Sequence, residues 1–131
     1  ESFRRFGEVA GDVISQALTI IDGIVVLGGG LTGAAKYFMP SLLAEMRGEI
    51  GTFAGDRFPR LQMQTYDLDS PEEAAEFVRE KSVPVAVPHS EERVRYHHIR
   101  QTPVVRSKLG ASRAIALGAY AFAIAELDRR Q

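Results

Sequence analysis

Three consecutive glycines at positions 28–30 follow directly on the unbroken apolar run 24–27 (Ile-Val-Val-Leu). An apolar, β-branched run without polar alternation is typical of a strand covered on both faces in a parallel α/β sheet. Glycines at the end of such a strand carry no Cβ atoms, so a ligand can approach the backbone closely. The amides of a helix that begins next favour a phosphate. The local pattern therefore predicts either a nucleotide or phosphate site, or a tight turn that binds nothing.

Helical patterns flank this strand on both sides. Apolar residues recur every three or four positions over 3–21, which predicts an amphipathic helix. Gly7 and Gly11 share one side of that helix, where another backbone can approach. Helical spacing resumes over 34–39, and Pro40 is expected to begin a second helical piece that ends near Arg47.

The second half of the chain predicts shorter elements. Residues 48–59 hold three glycines and are expected to form a loop. Ser70, Pro71 and Glu73 form a helix-start signature, with a cap, a first-turn proline and a capping-box carboxylate. Strands are predicted over 61–66, 93–99 and 102–107, and helices from 71 to about 81 and over 112–129. Residues 83–87 are broken by Pro84 and followed by Pro88, so an edge strand or an extended loop is expected there. We find no linker or repeat, so 1–131 is interpreted as a single segment with an irregular, insertion-like region at 51–101.

The charge balance and the amino-acid composition exclude several classes of protein. Sixteen basic and seventeen acidic residues leave a net charge of −1, which does not favour nucleic acid or anionic lipid as a partner. The absence of cysteine excludes a disulfide scaffold and a thiolate zinc site. The uncharged run 114–125 is too short to span a membrane and is interpreted as a buried core helix. The chain begins at Glu1 without a methionine or a leader, so we expect a piece of a longer protein, and the absence of cysteine fits a cytoplasmic one.

Two familiar glycine motifs fit the triplet poorly. A Walker A loop needs a lysine and a hydroxyl after its last glycine, but Ala34 and Ala35 stand there. The dinucleotide fingerprint matches at its three glycines, but Pro40 interrupts the following helix early. Glu49 has the spacing of the fingerprint's acid but no strand before it. A P-loop is therefore excluded, and a dinucleotide-dependent oxidoreductase is disfavoured.

Two longer motifs, in order near the two ends of the chain, point to a family. A helix, Asp22-Gly23, the strand 24–27, the glycine triplet and a second helix together resemble the adenosine motif of the actin–hexokinase superfamily. Residues 107–120 (SKLGASRAIALGAY) resemble the closing segment of the ROK family of sugar kinases and sugar-responsive repressors. That segment has a short strand, a Leu-Gly step and a small-residue helix containing Gly-Ala. The resemblance spans roughly 6–125, and 51–101 matches poorly.

This resemblance implies an α/β fold, as part of the C-terminal lobe of an actin-like (ribonuclease H-like) ATPase. It implies an ATP-dependent, glucokinase-like sugar kinase that uses ATP and Mg²⁺. The adenine and ribose would lie against Gly28, Gly29, Gly30 and Leu31, whose role would be backbone approach. The catalytic aspartate, the phosphate loop, the zinc motif and most of the sugar site would belong to an earlier part of the chain. No catalytic or metal-binding residue is therefore assigned here.

The resemblance leaves a second function open. The same family includes sugar-sensing repressors whose bodies resemble the kinases, and their DNA-binding helices would precede residue 1. In either case the apolar strand 24–27 and the apolar helix 114–125 need cover on all sides. We therefore expect the chain to occur with its upstream part or as a tight homo-oligomer, and to be inactive by itself.

Two clusters of polar residues invite a metal or paired-carboxylate site. One cluster is His89, His97 and His98 near two glutamates at 91 and 92. In an alternating strand His97 and His98 are expected to point to opposite faces, so the two cannot easily share one ion. Asp67 and Asp69 stand just before a helix cap, where a turn is the more common use of aspartate. We interpret both clusters as structural.

Overall fold

A three-stranded parallel sheet organises residues 1–129, the part of the chain that the computed structural model describes. Residues 130 and 131 of the expected segment lie outside this range. The helices are α1 (Ser2–Ile20), α2 (Ala35–Met46), α3 (Pro71–Val78) and α4 (Ala111–Arg129), and a 3-10 helix (Gly30–Ala34) precedes α2. The strands are β1 (Val25–Leu27), β2 (Glu49–Gly51), β3 (Arg57–Pro59), β4 (Met63–Asp67), β5 (Val83–Ala86), β6 (Arg93–Tyr96) and β7 (Arg100–Arg106).

The strand order of the main sheet is β1-β7-β4, so β7 is central although it comes last in the sequence. Both pairings are parallel, with Val26 opposite Val105 and Tyr66 opposite Pro103. The remaining strands form two antiparallel pairs, β2 with β3 and β5 with β6. The expected α/β architecture with a parallel sheet is confirmed.

The core lies between this sheet and the two helices α1 and α2. On β7, Thr102 and Val104 are both 0% exposed, and the Thr102 hydroxyl donates to the Gly23 carbonyl at 2.9 Å. This bond ties the central strand to the turn that leads into β1. The buried apolar cluster consists of Leu18, Ala35, Phe38, Met39, Leu42, Leu43, Met46, Leu61 and Val104.

The helices α1 and α2 meet along a stripe of small residues, Gly7, Gly11 and Ser15, all of them buried. A Cβ atom on Gly11 would lie 2.6 Å from the carbonyl oxygen of Leu42, and one on Gly7 would clash with the carbonyl oxygen of Phe38. The Ser15 hydroxyl donates to the Gly11 carbonyl at 2.7 Å, so it brings no unpaired polar group into the contact. The expected backbone approach at the two glycines is confirmed.

Pro40 does not begin a new helix, contrary to the sequence expectation. It lies inside α2, which runs without a break from Ala35 to Met46. A proline in a helix leaves the carbonyl four residues earlier, here that of Lys36, without its usual donor. Both residues lie on the exposed side of α2, where water can hydrate that carbonyl. The helix therefore tolerates the proline.

The region expected to be a loop (48–59) contains a hairpin, and the region interpreted as insertion-like (51–101) contains strands and a helix close to those that the sequence predicts there. In the first, β2 and β3 pair, and the Thr52 amide donates to the Asp56 carbonyl at 2.8 Å. Gly55 in the connection has φ +93°, a value that suits glycine. In the second region β4 belongs to the main sheet and β5 pairs with β6. Three-residue strands are too short to show alternation, so the pattern did not reveal the first hairpin.

The helix start predicted at Ser70 is confirmed in part. The Ser70 hydroxyl accepts from the Glu73 amide at 3.4 Å, and Pro71 is the first helical residue. The Glu73 carboxylate does not return to the cap, because it accepts from the Asp67 amide at 2.7 Å and from Arg47 at 2.5 Å. The helix ends at Val78, a little before the expected position near 81.

Two elements expected to be covered on all sides are open within residues 1–129. In β1, Val26 is 60% exposed, and only one edge of the strand is paired within residues 1–129. Helix α4 has no buried residue, and Phe122 is 70% exposed. The interpretation of 114–125 as a buried helix is therefore wrong for this part of the chain. No helix among the described residues is long and apolar enough to cross a membrane.

The close contact of α1 and α2 predicts opposite results for two helical glycines. Gly11→Ala should lower the free energy of unfolding by about 1–3 kcal/mol, because its methyl group forces the two helix backbones apart. Gly118→Ala in α4 is the matched control, since its methyl group would meet nothing within 4 Å. The control should be neutral or slightly stabilising, because alanine favours a helix over glycine. Denaturant unfolding of both variants measures the difference, and equal effects would contradict the described packing.

Candidate functional site

The carboxyl ends of the three parallel strands bring together three segments that are distant in sequence. The glycines 28–30 follow β1, residues 67–69 end and follow β4, and residues 106–108 end and follow β7. In open α/β sheets, ligands bind outside the carboxyl ends of the strands. This edge of the sheet is therefore the first place to look for a ligand site.

The glycine triplet turns the chain from β1 into the 3-10 helix. Gly29 has φ +97°, and its carbonyl accepts from the Thr32 amide at 3.3 Å and from the Thr32 hydroxyl at 2.7 Å. A Cβ atom on Gly29 or Gly30 would meet nothing within 4 Å. The four expected nucleotide residues, Gly28, Gly29, Gly30 and Leu31, are therefore contiguous and exposed. Packing does not require a glycine at position 30.

A polar cleft of about 370 Å³ adjoins this turn. The Ser107 amide donates to the Leu27 carbonyl at 2.8 Å, which holds the segment after β7 beside the glycines. The Ser107 Cβ lies 3.9 Å from the place where a Cβ of Gly28 would be. The cleft is lined by Thr32, Gly33, Asp69, Arg106, Ser107 and Lys108.

An apolar cleft of about 390 Å³ lies on the other side of an ion pair between Arg106 and Asp69. The Arg106 Nε atom lies 2.5 Å from the Asp69 Oδ2 atom, and both residues line the two clefts. The walls of the apolar cleft come mainly from α2, with Ala35, Lys36, Met39, Pro40 and Leu43, and Asp67 completes the lining. The two clefts thus share one charged wall.

A larger cleft, of about 500 Å³, lies along the outer edge of β4. Its two charged residues, Arg47 and Glu73, are held 2.5 Å apart. Arg47 also donates to the Thr65 carbonyl at 3.1 Å, and Glu73 accepts from the Asp67 amide. Because these side chains already bond the free edge of the strand, the cleft offers few polar groups for a ligand.

Comparisons with known proteins give one informative result. No family model matches the chain, and no curated protein matches it. A crystal structure of a glucokinase from Parabacteroides distasonis matches 93% of this chain at 43% identity, with a TM-score of 0.74. The chain is similar in sequence and fold to part of a glucokinase. It spans 32% of that protein, about a third of its length. The expected likeness to a glucokinase is thereby supported.

The two aspartates of this glucokinase-like chain form a turn, as the sequence indicates. The Asp69 amide donates to the Asp67 carboxylate at 2.9 Å, which closes a local turn after β4. The two carboxylates do not act as a pair, because that of Asp69 is bound to Arg106. The ion pair with Arg106 is not visible from sequence spacing, since the two residues are 37 positions apart.

The histidines are placed differently from the sequence expectation. His97 and His98 lie beyond the end of β6, and their rings stack with centroids 6.3 Å apart and an interplanar angle of 22°. The expected separation onto opposite faces of a strand is therefore wrong, because the strand ends at Tyr96. Within residues 1–129, no three His, Asp or Glu side chains are grouped so that they could hold a metal ion.

Sequence reasoning missed the residues after β7. Arg106, Ser107 and Lys108 line the polar cleft because β7 lies next to β1 in the sheet. The order of strands in a sheet cannot be read from hydrophobic patterns. A signal was present, since residues 107–120 carry the closing motif that the sequence analysis singled out.

The open space at Gly30 allows a test of the nucleotide site without loss of the fold. Gly30→Val should lower the affinity of the full-length protein for ATP at least about tenfold, because the new methyl groups fill the space beside the turn. A substitution at Gly29 is a poorer test, since φ +97° strains any other residue. Gly23→Val is the control, because it also faces open space but lies before β1.

Calorimetric titration with ATP measures both variants. We expect the affinity for ATP to fall by about an order of magnitude or more for Gly30→Val and to stay unchanged for Gly23→Val. Unchanged affinity in a folded Gly30→Val protein would remove the glycines from the site.

Proposed function

We propose that this chain is the nucleotide-binding part of the C-terminal lobe of an ATP-dependent sugar kinase of the ROK family. The observation that carries the proposal is the 43% identity to a glucokinase over 93% of the chain. The two sequence motifs near the ends of the chain support the ROK family and the actin-like fold. A parallel sheet with an exposed glycine turn at its carboxyl edge is compatible with both.

In this proposal the chain supplies a seat for ATP, and the reacting groups lie in the rest of the kinase. The exposed glycines 28–30 and Leu31 leave room beside the backbone for adenine and ribose, and within residues 1–129 no atom lies within 4 Å of the place where a Cβ of Gly29 or Gly30 would be. Phosphoryl transfer to a sugar depends on positioning and on charge neutralisation by Mg²⁺. The aspartate that deprotonates the sugar hydroxyl and the residues that bind the sugar are assigned to the part outside this chain.

The same proposal accounts for the surfaces that are exposed within residues 1–129. The free edge of β1 and the exposed helix α4 would be covered by the rest of the kinase chain or by a second copy in a homo-oligomer. We assign the kinase to the cytoplasm, which is consistent with a sequence without cysteine.

An assay of hexose phosphorylation tests the proposal. The full-length protein should phosphorylate glucose or another hexose with ATP, and removal of Mg²⁺ with EDTA should abolish the activity. The isolated 131-residue chain should show none, because it carries no positioned base for the sugar hydroxyl.

Each contrary result has a distinct meaning. Phosphorylation by the isolated chain would refute the assignment of the base to another part of the protein. A full-length protein that binds a sugar but transfers no phosphoryl group would refute the kinase and favour the sugar-sensing repressor.

A further inference from the structure

The segment after β7 forms the wall of the polar cleft that faces the glycine turn. Its position is fixed by the bond of 2.8 Å from the Ser107 amide to the Leu27 carbonyl, the last residue of β1. Ser107 is therefore next to Gly28, and Lys108 follows it in the lining of the cleft. A ligand that lies against the glycines would have these two side chains on its other side.

The charges that line the polar cleft do not cancel. The carboxylate of Asp69, whose side chain is 18% exposed, is bound by Arg106 at 2.5 Å, so these two charges neutralise each other. The Lys108 ammonium group has no ion pair or hydrogen bond within residues 1–129, and the same is true of the Ser107 hydroxyl. The cleft therefore presents one uncompensated positive charge and one free hydroxyl.

The other hydroxyl and the other lysine near the site are already engaged. The Thr32 hydroxyl donates to the Gly29 carbonyl at 2.7 Å, which stabilises the turn. The ammonium group of Lys36, at the rim of the apolar cleft, lies 4.8 Å from the centre of the Tyr37 ring. Ser107 and Lys108 thus offer an unengaged hydroxyl and an unengaged ammonium group to an anionic ligand at this edge of the sheet, within the part of the chain that the structure describes.

We propose that Lys108 and Ser107 bind a phosphate group of the nucleotide in the polar cleft. This inference rests on the proposed function, because it takes the ligand to be the adenine nucleotide of the kinase. Phosphate oxygens accept hydrogen bonds from ammonium and hydroxyl groups, and those to a charged donor are the stronger ones. A volume of about 370 Å³ is within the range of small-ligand sites.

The test compares ADP with adenosine, which lacks the phosphates. In the full-length protein, Lys108→Ala should weaken ADP binding about tenfold and leave adenosine binding unchanged. Lys108→Arg should retain most of the ADP affinity, because a guanidinium group also binds phosphate. Arg113→Ala is the matched control, since it removes the same charge from α4 and does not line the cleft. It should leave ADP binding unchanged.

The outcomes separate this inference from the proposed function. Equal losses of ADP affinity in Lys108→Ala and Arg113→Ala would overturn the inference, because a general loss of positive charge would explain them. An equal loss of adenosine affinity in Lys108→Ala would also overturn it, since the contact would not be with a phosphate. If the unaltered full-length protein binds neither ADP nor adenosine, the proposed function itself fails.

Discussion

The parallel pairing of β7 with both β1 and β4 is the constraint on which the rest of the structure depends. It places the last strand of the chain at the centre of the sheet, where Thr102 and Val104 are completely buried and Val104 belongs to the apolar cluster formed with α1 and α2. Because all three strands run in the same direction, their carboxyl ends meet at one edge. The glycine turn, the Asp67–Asp69 turn and the Ser107–Lys108 segment are neighbours for this reason alone.

Glycines serve two opposite purposes in this chain, and the surrounding atoms distinguish them. At Gly7 and Gly11 a methyl group would collide with the backbone of α2, so packing accounts for both residues. At Gly30 a methyl group would meet nothing, and at Gly29 only the positive φ calls for glycine. A glycine that neither packing nor backbone conformation requires is compatible with the approach of a ligand, which is the role proposed for the triplet.

The sequence predicts the elements of this fold better than their surroundings. The bounds of α1 are predicted within a residue or two, because this helix is long and has a clear apolar period. The close approach of a second backbone at Gly7 and Gly11 is also predicted. The exposure of β1 and α4 within residues 1–129 was not anticipated, because an apolar pattern indicates that a segment needs cover and does not show what covers it. The polar cleft was missed as well, since the contact between Arg106 and Asp69 depends on strand order.

The central claim is that the carboxyl edge of this sheet binds a nucleotide. Amide hydrogen exchange of the full-length protein, measured with and without ATP and Mg²⁺, tests it most directly. The account predicts that ATP slows exchange at residues 28–33 and 106–108 and leaves the hairpin of β5 and β6 unchanged. Slower exchange elsewhere in this chain, with residues 28–33 unaffected, would contradict it.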